Sequence, residues 1–216
     1  MKSSAQVERS FGARSSAIMV SVTKVEQIAR GGRQPRSDSE TNRERLLAAA
    51  AFAVRREGAA VPMATIAELA GVGVGTLYRH FASREVLLAA LTHQSFGLVL
   101  AAAQRAASTD KSAIECIRLF LDETIKHGSE LVLPMHGGPV PVERATLELR
   151  TKVHDTLGEI LRRGHQDRSI RPLITPLDLI VFGAMMAQPL PTATNWRRTA
   201  QRQSDIFLKG ISATLT

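Results

Sequence analysis

The sequence is poor in cysteine and in aromatic residues. Cys116 is the single cysteine among 216 residues, so the chain can form no internal disulfide and has no thiolate cluster for zinc. A reducing cytoplasmic compartment is the natural prediction. Aromatic residues make up only 4% of the chain, whereas alanine and leucine are frequent, and this balance favours packed helices over strands. We therefore expect an all-α protein.

Long hydrophobic runs are also missing from the sequence. The run from Ala17 to Val22 is short, lies between polar residues and lacks the build of a signal peptide. We therefore expect a soluble intracellular protein without a membrane partner.

Acidic residues are outnumbered by basic ones. The chain has 28 Lys and Arg against 20 Asp and Glu, a formal charge of +8. This excess favours a polyanionic partner without establishing one, because many small basic proteins bind no nucleic acid.

Enzyme and metal motifs are absent from the sequence. It contains no nucleophile elbow, no phosphate-binding glycine loop and no distinctive carboxylate pair, and Ser129 and His136 lack a third partner. We expect no catalytic residue and no cofactor. Five histidines lack the paired spacing of a metal site on one helix face, so we expect no metal: His93, His127, His136, His154 and His165.

Residues 1–40 have no sustained apolar period and predict a disordered basic arm. Met19 is a possible alternative start. Two interpretations of Arg30, Arg33 and Arg36 remain open: solvation, or contact with phosphates or a minor groove.

Helical periodicity begins at Thr41. A first helix carrying Leu47, Ala50 and Val54 on its buried face ends at Gly58. A second begins at Pro62 and closes at Gly71, a third spans Thr76 to Phe81 with Leu77 facing inward, and Ser83 caps a fourth that runs to about Ala107. The predicted buried residues of the second are Ile66, Leu69 and Ala70.

Four further helices are predicted beyond Asp110, separated by glycine and proline breaks. Their predicted bounds are Lys111–His127, Val142–Arg163, Pro176–Ala187 and Asn195–Ala213. The pattern indicates a head at 41–91 and a larger helical body at 92–216.

The second and third helices flank a tight turn, Val72-Gly73-Val74-Gly75, as in a helix-turn-helix whose second helix enters the major groove of DNA. Gly73 and Gly75 remove bulk where the helix start approaches DNA. The turn and the third helix also offer groups suited to phosphates or base edges: Thr76, Tyr78, Arg79, His80 and, at the next helix start, Arg84. Tyr78 and His80 are alternatively structural residues, and Arg79 alternatively a solvated one.

The segment from Ile66 to Leu88 resembles the recognition segment of the TetR family of bacterial one-component regulators. The shared pattern runs through Ala-Gly-Val, Gly-Thr-Leu-Tyr and a Phe ahead of Ser-Arg-Glu. The resemblance covers about Arg45 to Leu91, and the body matches only in its helical plan.

This resemblance implies a three-helix DNA-binding head joined by a connecting helix to a ligand-binding and dimerisation body. The implied protein is a homodimer through its last two helices that binds a palindromic double-stranded operator and is released, as a repressor, by an unidentified small molecule. An activator of the same fold and a non-specific nucleic-acid binder are the alternatives. The DNA-binding residues implied are Thr65, Gly73, Val74, Gly75, Thr76, Tyr78, Arg79, His80 and Arg84.

Three residues depart from the family pattern: Gly73 where Ser or Thr is common, Val74 where Lys or Gln is frequent, and Val54 where an aromatic residue usually packs. The first two bear on which bases are read and the third on core packing. Four residues of the last two helices suit a ligand cavity, a dimer seam or simple core packing: Phe182, Met185, Met186 and Trp196.

Overall fold

A computed structural model describes residues 38–190 and 193–213, and its helices confirm the all-α prediction. The α-helices are α1 (Asp38–Glu57), α2 (Met63–Leu69), α3 (Val74–His80), α4 (Arg84–Ala107), α5 (Ala113–Lys126), α6 (Arg144–Gln166), α7 (Pro176–Met186) and α8 (Trp196–Ile211), with a 3-10 turn at Pro134–His136. No strand occurs within the described ranges. A single antiparallel bridge joins Ile170 to Ser212.

The start of α1 differs from the prediction. The helix begins at Asp38, three residues before Thr41, so residues 38–40 of the predicted disordered arm are helical. The remainder of that arm, with Arg30, Arg33, Arg36 and the alternative start at Met19, lies outside the described residues.

Two glycines end helices of the head because their backbone conformation favours glycine. Gly58 has a φ of +88° and donates its N–H to the Val54 carbonyl at 2.8 Å, and Gly71 has a φ of +65°.

The predicted start of α2 at Pro62 is wrong by one residue. Pro62 is the N-cap, because its ψ of 140° leaves it in extended backbone.

Helices α1, α2 and α3 and the start of α4 enclose one apolar core. Its fully buried large side chains are Leu46, Ile66, Leu77, Phe81, Leu87 and Leu91. Val54, at the position where the resemblance implies an aromatic residue, is 2% exposed and packs within this core. Leu69, which the pattern placed inside, is only half-buried and packs at the edge.

Helix α4 joins the head to the body. Ser83 caps it by accepting a hydrogen bond from the Val86 N–H at 3.3 Å, as predicted. We expected no apolar stretch long enough to cross a membrane. By length and composition alone, α4 is long and apolar enough to do so. Its apolar character has a packing explanation, because α4 supplies side chains to the head core and lies against α5 and α6 in the body.

Helices α5 to α8 and most of α4 enclose a second core. Capping boxes set two of the helix starts: Ser112 with Glu115 for α5, and Thr175 with Asp178 for α7. Pro176 occupies the first turn of α7 as predicted.

Candidate nucleic-acid interface

Helix α3 has one buried face and one open face. Leu77 and Phe81, four residues apart, are 0% and 1% exposed and anchor the helix in the head core. On the opposite side Val74 and Tyr78 are 40% and 48% exposed, and Arg79 is exposed beside them. The helix is therefore held by its inner residues while these side chains stand free to meet a partner.

The start of α3 is open as well, and it lies at Val74, two residues before the predicted Thr76, so Val74 and Gly75 belong to the helix and not to the turn. Gly73 is the N-cap and brings no capping side chain, and a Cβ atom added at Gly73 or Gly75 meets no heavy atom within 4 Å. A partner's backbone can therefore approach this turn closely.

The remaining predicted contact residues are less exposed. Thr65 on α2 and Thr76 and His80 on α3 are half-buried. The His80 ring lies 6.4 Å from the Phe81 ring, whose face also carries the Arg43 guanidinium of α1 at 5.3 Å. This cation–π contact adds a positive charge beside the recognition helix.

Arg84 has a structural role that sequence reasoning missed. Its Nη1 donates to the Ala59 carbonyl at 3.0 Å and to the Val61 carbonyl, so it fastens the start of α4 to the α1–α2 loop. No signal in the sequence pointed to this contact, because it joins residues 23 and 25 positions apart.

A segment of the body enters the head. We call residues 131–138 the coupling segment: Val132 is buried in the head core, whereas Leu131 and Leu133 are buried in the body core. From α4, Thr92 donates to the Val132 carbonyl at 3.2 Å, and the Ser95 hydroxyl accepts the Val132 N–H at 2.8 Å. Movement of this segment therefore acts on both cores at once.

Arg55, near the end of α1, ties the head to the same region. Its guanidinium donates to the Leu131 carbonyl at 2.9 Å and to the Ala187 carbonyl at the end of α7 at 3.4 Å. Burial lowers the pKa of Arg55, yet a guanidinium keeps its charge at physiological pH. One side chain thus links the head to the coupling segment and to α7.

His136 completes this junction. It is 8% exposed, with Nε2 at 2.9 Å from the Ala184 carbonyl and Nδ1 at 3.3 Å from the Leu131 carbonyl. Burial lowers the pKa of His136, and the nearby charge of Arg55 lowers it further. The neutral ring carries one N–H, and the shorter of the two contacts favours donation from Nε2 to the Ala184 carbonyl.

This environment predicts acid-sensitive folding. An unfolded histidine gains a proton below about pH 6.5, whereas buried His136 resists protonation, so its contribution to stability is present above that pH and is lost below it. We expect the free energy of unfolding to fall by up to about 1.4 kcal/mol per pH unit from this residue. Urea unfolding between pH 5 and pH 8 measures it.

The matched variants are His136→Gln and His154→Gln, since His154 has a 58% exposed side chain. The first is expected to flatten the acid limb of the stability profile and the second to leave it unchanged. Identical profiles for wild type and His136→Gln would refute this account.

The large apolar residues of α7 and α8 fall into two groups, those that pack inside the chain and those that are exposed. Phe182 stacks on Phe207 with ring centroids 4.0 Å apart, and the Trp196 indole donates to the Met186 carbonyl at 2.7 Å. Met185 is instead 53% exposed. With Leu177 and Val181 it forms what we call the α7 stripe, an exposed row at four-residue spacing.

No group of three or more His, Cys, Asp or Glu side chains within residues 38–190 and 193–213 is arranged to hold a metal ion.

Comparison with known proteins links this geometry to one family. Residues 46–91 match the family model described as bacterial regulatory proteins, tetR family. No curated protein matches the chain.

Solved structures share the wider fold. A tetR-family regulatory protein from Rhodococcus RHA1 is 19% identical, with 83% of this chain and 100% of that one covered and a TM-score of 0.63. The ketosteroid transcriptional regulator KstR2 of Mycobacterium tuberculosis is 18% identical, with coverage of 84% and 98% and a TM-score of 0.62. AibR, solved with isovaleryl coenzyme A and operator DNA, is 16% identical, with coverage of 81% and 100% and a TM-score of 0.63. Residues 46–91 thus match the model of the tetR family of bacterial regulatory proteins, and the described residues share the all-α fold of these solved structures.

Proposed function

We propose that this protein is a homodimeric transcriptional repressor that binds a palindromic operator and leaves it when a small molecule binds the body. The observation that carries the proposal is α3, held by Leu77 and Phe81 while Tyr78 and Arg79 remain exposed, inside a family DNA-binding domain. An activator built on the same fold is the second candidate, and DNA recognition is common to both.

We assign the contacts with DNA according to the exposure of each residue. Tyr78 and Arg79 reach phosphates or base edges, and the open turn at Gly73–Gly75 lets the DNA backbone approach. Val74 adds an apolar contact, and the half-buried Thr65, Thr76 and His80 supply shorter-range hydrogen bonds. Arg84 contributes chiefly by holding the head together, because its Nη1 is already bonded to two carbonyls.

We assign DNA binding to residues 41–91, extended to Asp38 by the start of α1, and ligand binding and dimerisation to residues 92–216. The α7 stripe supports the dimer, because it leaves three large apolar side chains uncovered on a helix of the predicted seam. Two heads about 34–36 Å apart reach successive major grooves. Such a protein acts in the cytoplasm, where bacterial DNA lies, and needs no cofactor or enzymatic activity.

Ligand release is proposed by analogy and by linkage. AibR was solved with both isovaleryl coenzyme A and operator DNA, which is a property of that protein. In this chain, the coupling segment and Arg55 offer a route from body to head. A ligand that favours the arrangement of this junction with the lower DNA affinity weakens DNA binding. By thermodynamic linkage, DNA weakens the binding of that ligand by the same factor.

Selection of genomic fragments by the purified full chain, followed by footprinting at several salt concentrations, tests the proposal. We expect a palindromic footprint of two half-sites. Tyr78→Phe and Arg79→Ala should each weaken binding about 10-fold, and Arg79→Ala should also reduce the salt dependence.

Arg150→Ala is the matched control, because Arg150 is exposed on α6, outside the head. It removes the same charge and should leave operator affinity unchanged. Length-dependent coating of DNA, weakened equally by Arg79→Ala and Arg150→Ala, would refute specific recognition and indicate a general nucleic-acid binder.

A further inference from the structure

A cavity of about 310 Å³ lies where the first turns of α4 meet the segment leading into α6. Its volume is at the lower end of the range for small-molecule sites. Its lining includes Glu85, Val86, Leu88, Thr92, Val140 and Glu143.

The cavity has an apolar wall that the fold leaves uncovered. Val86, Val140 and Val142 are 48%, 71% and 84% exposed, and Pro139 and Pro141 continue the same surface. Exposed valines gain by removal from water, so a ligand with an apolar body of matching size is favoured here.

The charges of the cavity have one sign. Glu85 and Glu143 are its only ionisable lining residues, in a chain whose formal charge is +8. A hydrogen bond from Ser83 lowers the pKa of Glu85 and keeps it ionised, and the Glu143 side chain makes no capping hydrogen bond. Two carboxylates beside an apolar wall complement a cation with a hydrophobic body.

Neighbouring polar groups are already engaged. Arg84 bonds the carbonyls of the α1–α2 loop, and Arg144 pairs with Glu148 at 2.9 Å. The Thr92 hydroxyl donates to the coupling segment, and the Thr146 hydroxyl lies 3.0 Å from His93 Nδ1. The two carboxylates therefore dominate what a ligand meets.

The cavity also touches both halves of the molecule. Leu88 packs against the head core, Thr92 bonds the coupling segment, and Pro139 follows that segment directly. A ligand at this position presses on the element that joins head to body.

We propose that this cavity binds a small apolar amine, held as a cation between Glu85 and Glu143, and that its occupancy changes DNA affinity. The amine site stands on the cavity alone, whereas its effect on DNA rests on the proposed function.

Calorimetry with the full chain at pH 7 and no DNA tests the site. The probes are octylamine, 4-phenylbutylamine, 4-phenylbutanol and 4-phenylbutyrate. The last three share a similar apolar phenylalkyl body and carry a positive, a neutral and a negative head group, respectively. We expect 4-phenylbutylamine to bind at least 10-fold more tightly than the alcohol, and the carboxylate to bind least. Failure of both amines to bind, or equal binding of the amine, the alcohol and the acid, would overturn the proposal.

Variants locate the site. Glu85→Gln and Glu143→Gln should each weaken amine binding about 10-fold, and Glu143→Lys should favour 4-phenylbutyrate over the amine. Asp110→Asn, which neutralises an exposed carboxylate at the far end of α4, is the matched control and should have no effect. Equal effects of the Glu143 and Asp110 variants would overturn the assignment.

Operator titrations with and without the amine test its effect on DNA. A shift of operator affinity that Glu143→Gln abolishes supports the effector role, and amine binding without any shift overturns it. Failure to bind an operator when no amine is present would instead refute the proposed function, and calorimetry would still decide the amine site.

Discussion

Val181→Asp is expected to convert the proposed dimer to a monomer and to weaken operator binding at least 100-fold. Val181 is the middle residue of the α7 stripe and is 40% exposed in the single chain. A seam formed by α7 buries the middle residue of this stripe, so the substitution places one carboxylate from each protomer in an apolar contact. Loss of the dimer removes the second head and with it the gain from simultaneous binding to both half-sites.

Light scattering after gel filtration gives the mass, and fluorescence anisotropy gives operator affinity. Val142→Asp is the matched control: this valine is 84% exposed on the segment before α6, outside α7 and α8, and its replacement should leave the dimer intact. A Val181→Asp protein that remains a dimer with unchanged operator affinity would place the seam elsewhere.

Leu77→Ala is expected to destabilise the head by about 3 kcal/mol and to abolish specific DNA binding. Leu77 is completely buried and anchors α3 with Phe81, so its truncation leaves a cavity beneath the recognition helix. Amide hydrogen exchange measures the effect locally. Protection in α2 and α3 should fall about 100-fold, while protection in α5 and α6 stays near its original value.

The neighbouring substitution Tyr78→Ala is the control, because Tyr78 is 48% exposed on the opposite face of the same helix. It should weaken DNA binding without changing amide protection. If Leu77→Ala bound operator normally, recognition would not depend on this helix being held by its buried face.

Local signals predicted much of this fold because they act within one turn of a helix. Gly58 and Gly71 end helices through left-handed backbone, and Ser83 and Thr175 cap helices by bonding N–H groups three residues onward. Such contacts need no knowledge of distant residues. The start of α1 is different, because the helix extends back to Asp38, ahead of the point where the apolar period begins.

The buried face of α3 was also predictable from sequence, although the helix spans Val74–His80 and not the predicted Thr76 to Phe81. The spacing of Leu77 and Phe81 defines its inner face, and the exposed positions follow from the helical period. The DNA contacts themselves stay predictions, because they depend on a partner that a single chain does not contain.

The sequence by itself determined the number and order of the helices, several of their ends and the resemblance of the head to a known family, because periodicity, glycine conformation and a dense local motif are properties of neighbouring residues. Only the tertiary structure decided the roles of Arg84, Arg55 and His136, and the burial of Val132 in the core of the other half of the molecule. Those roles come from contacts between residues 23 to 132 positions apart. No local pattern encodes such contacts, because they arise only when separate helices pack together and their remaining polar groups find partners.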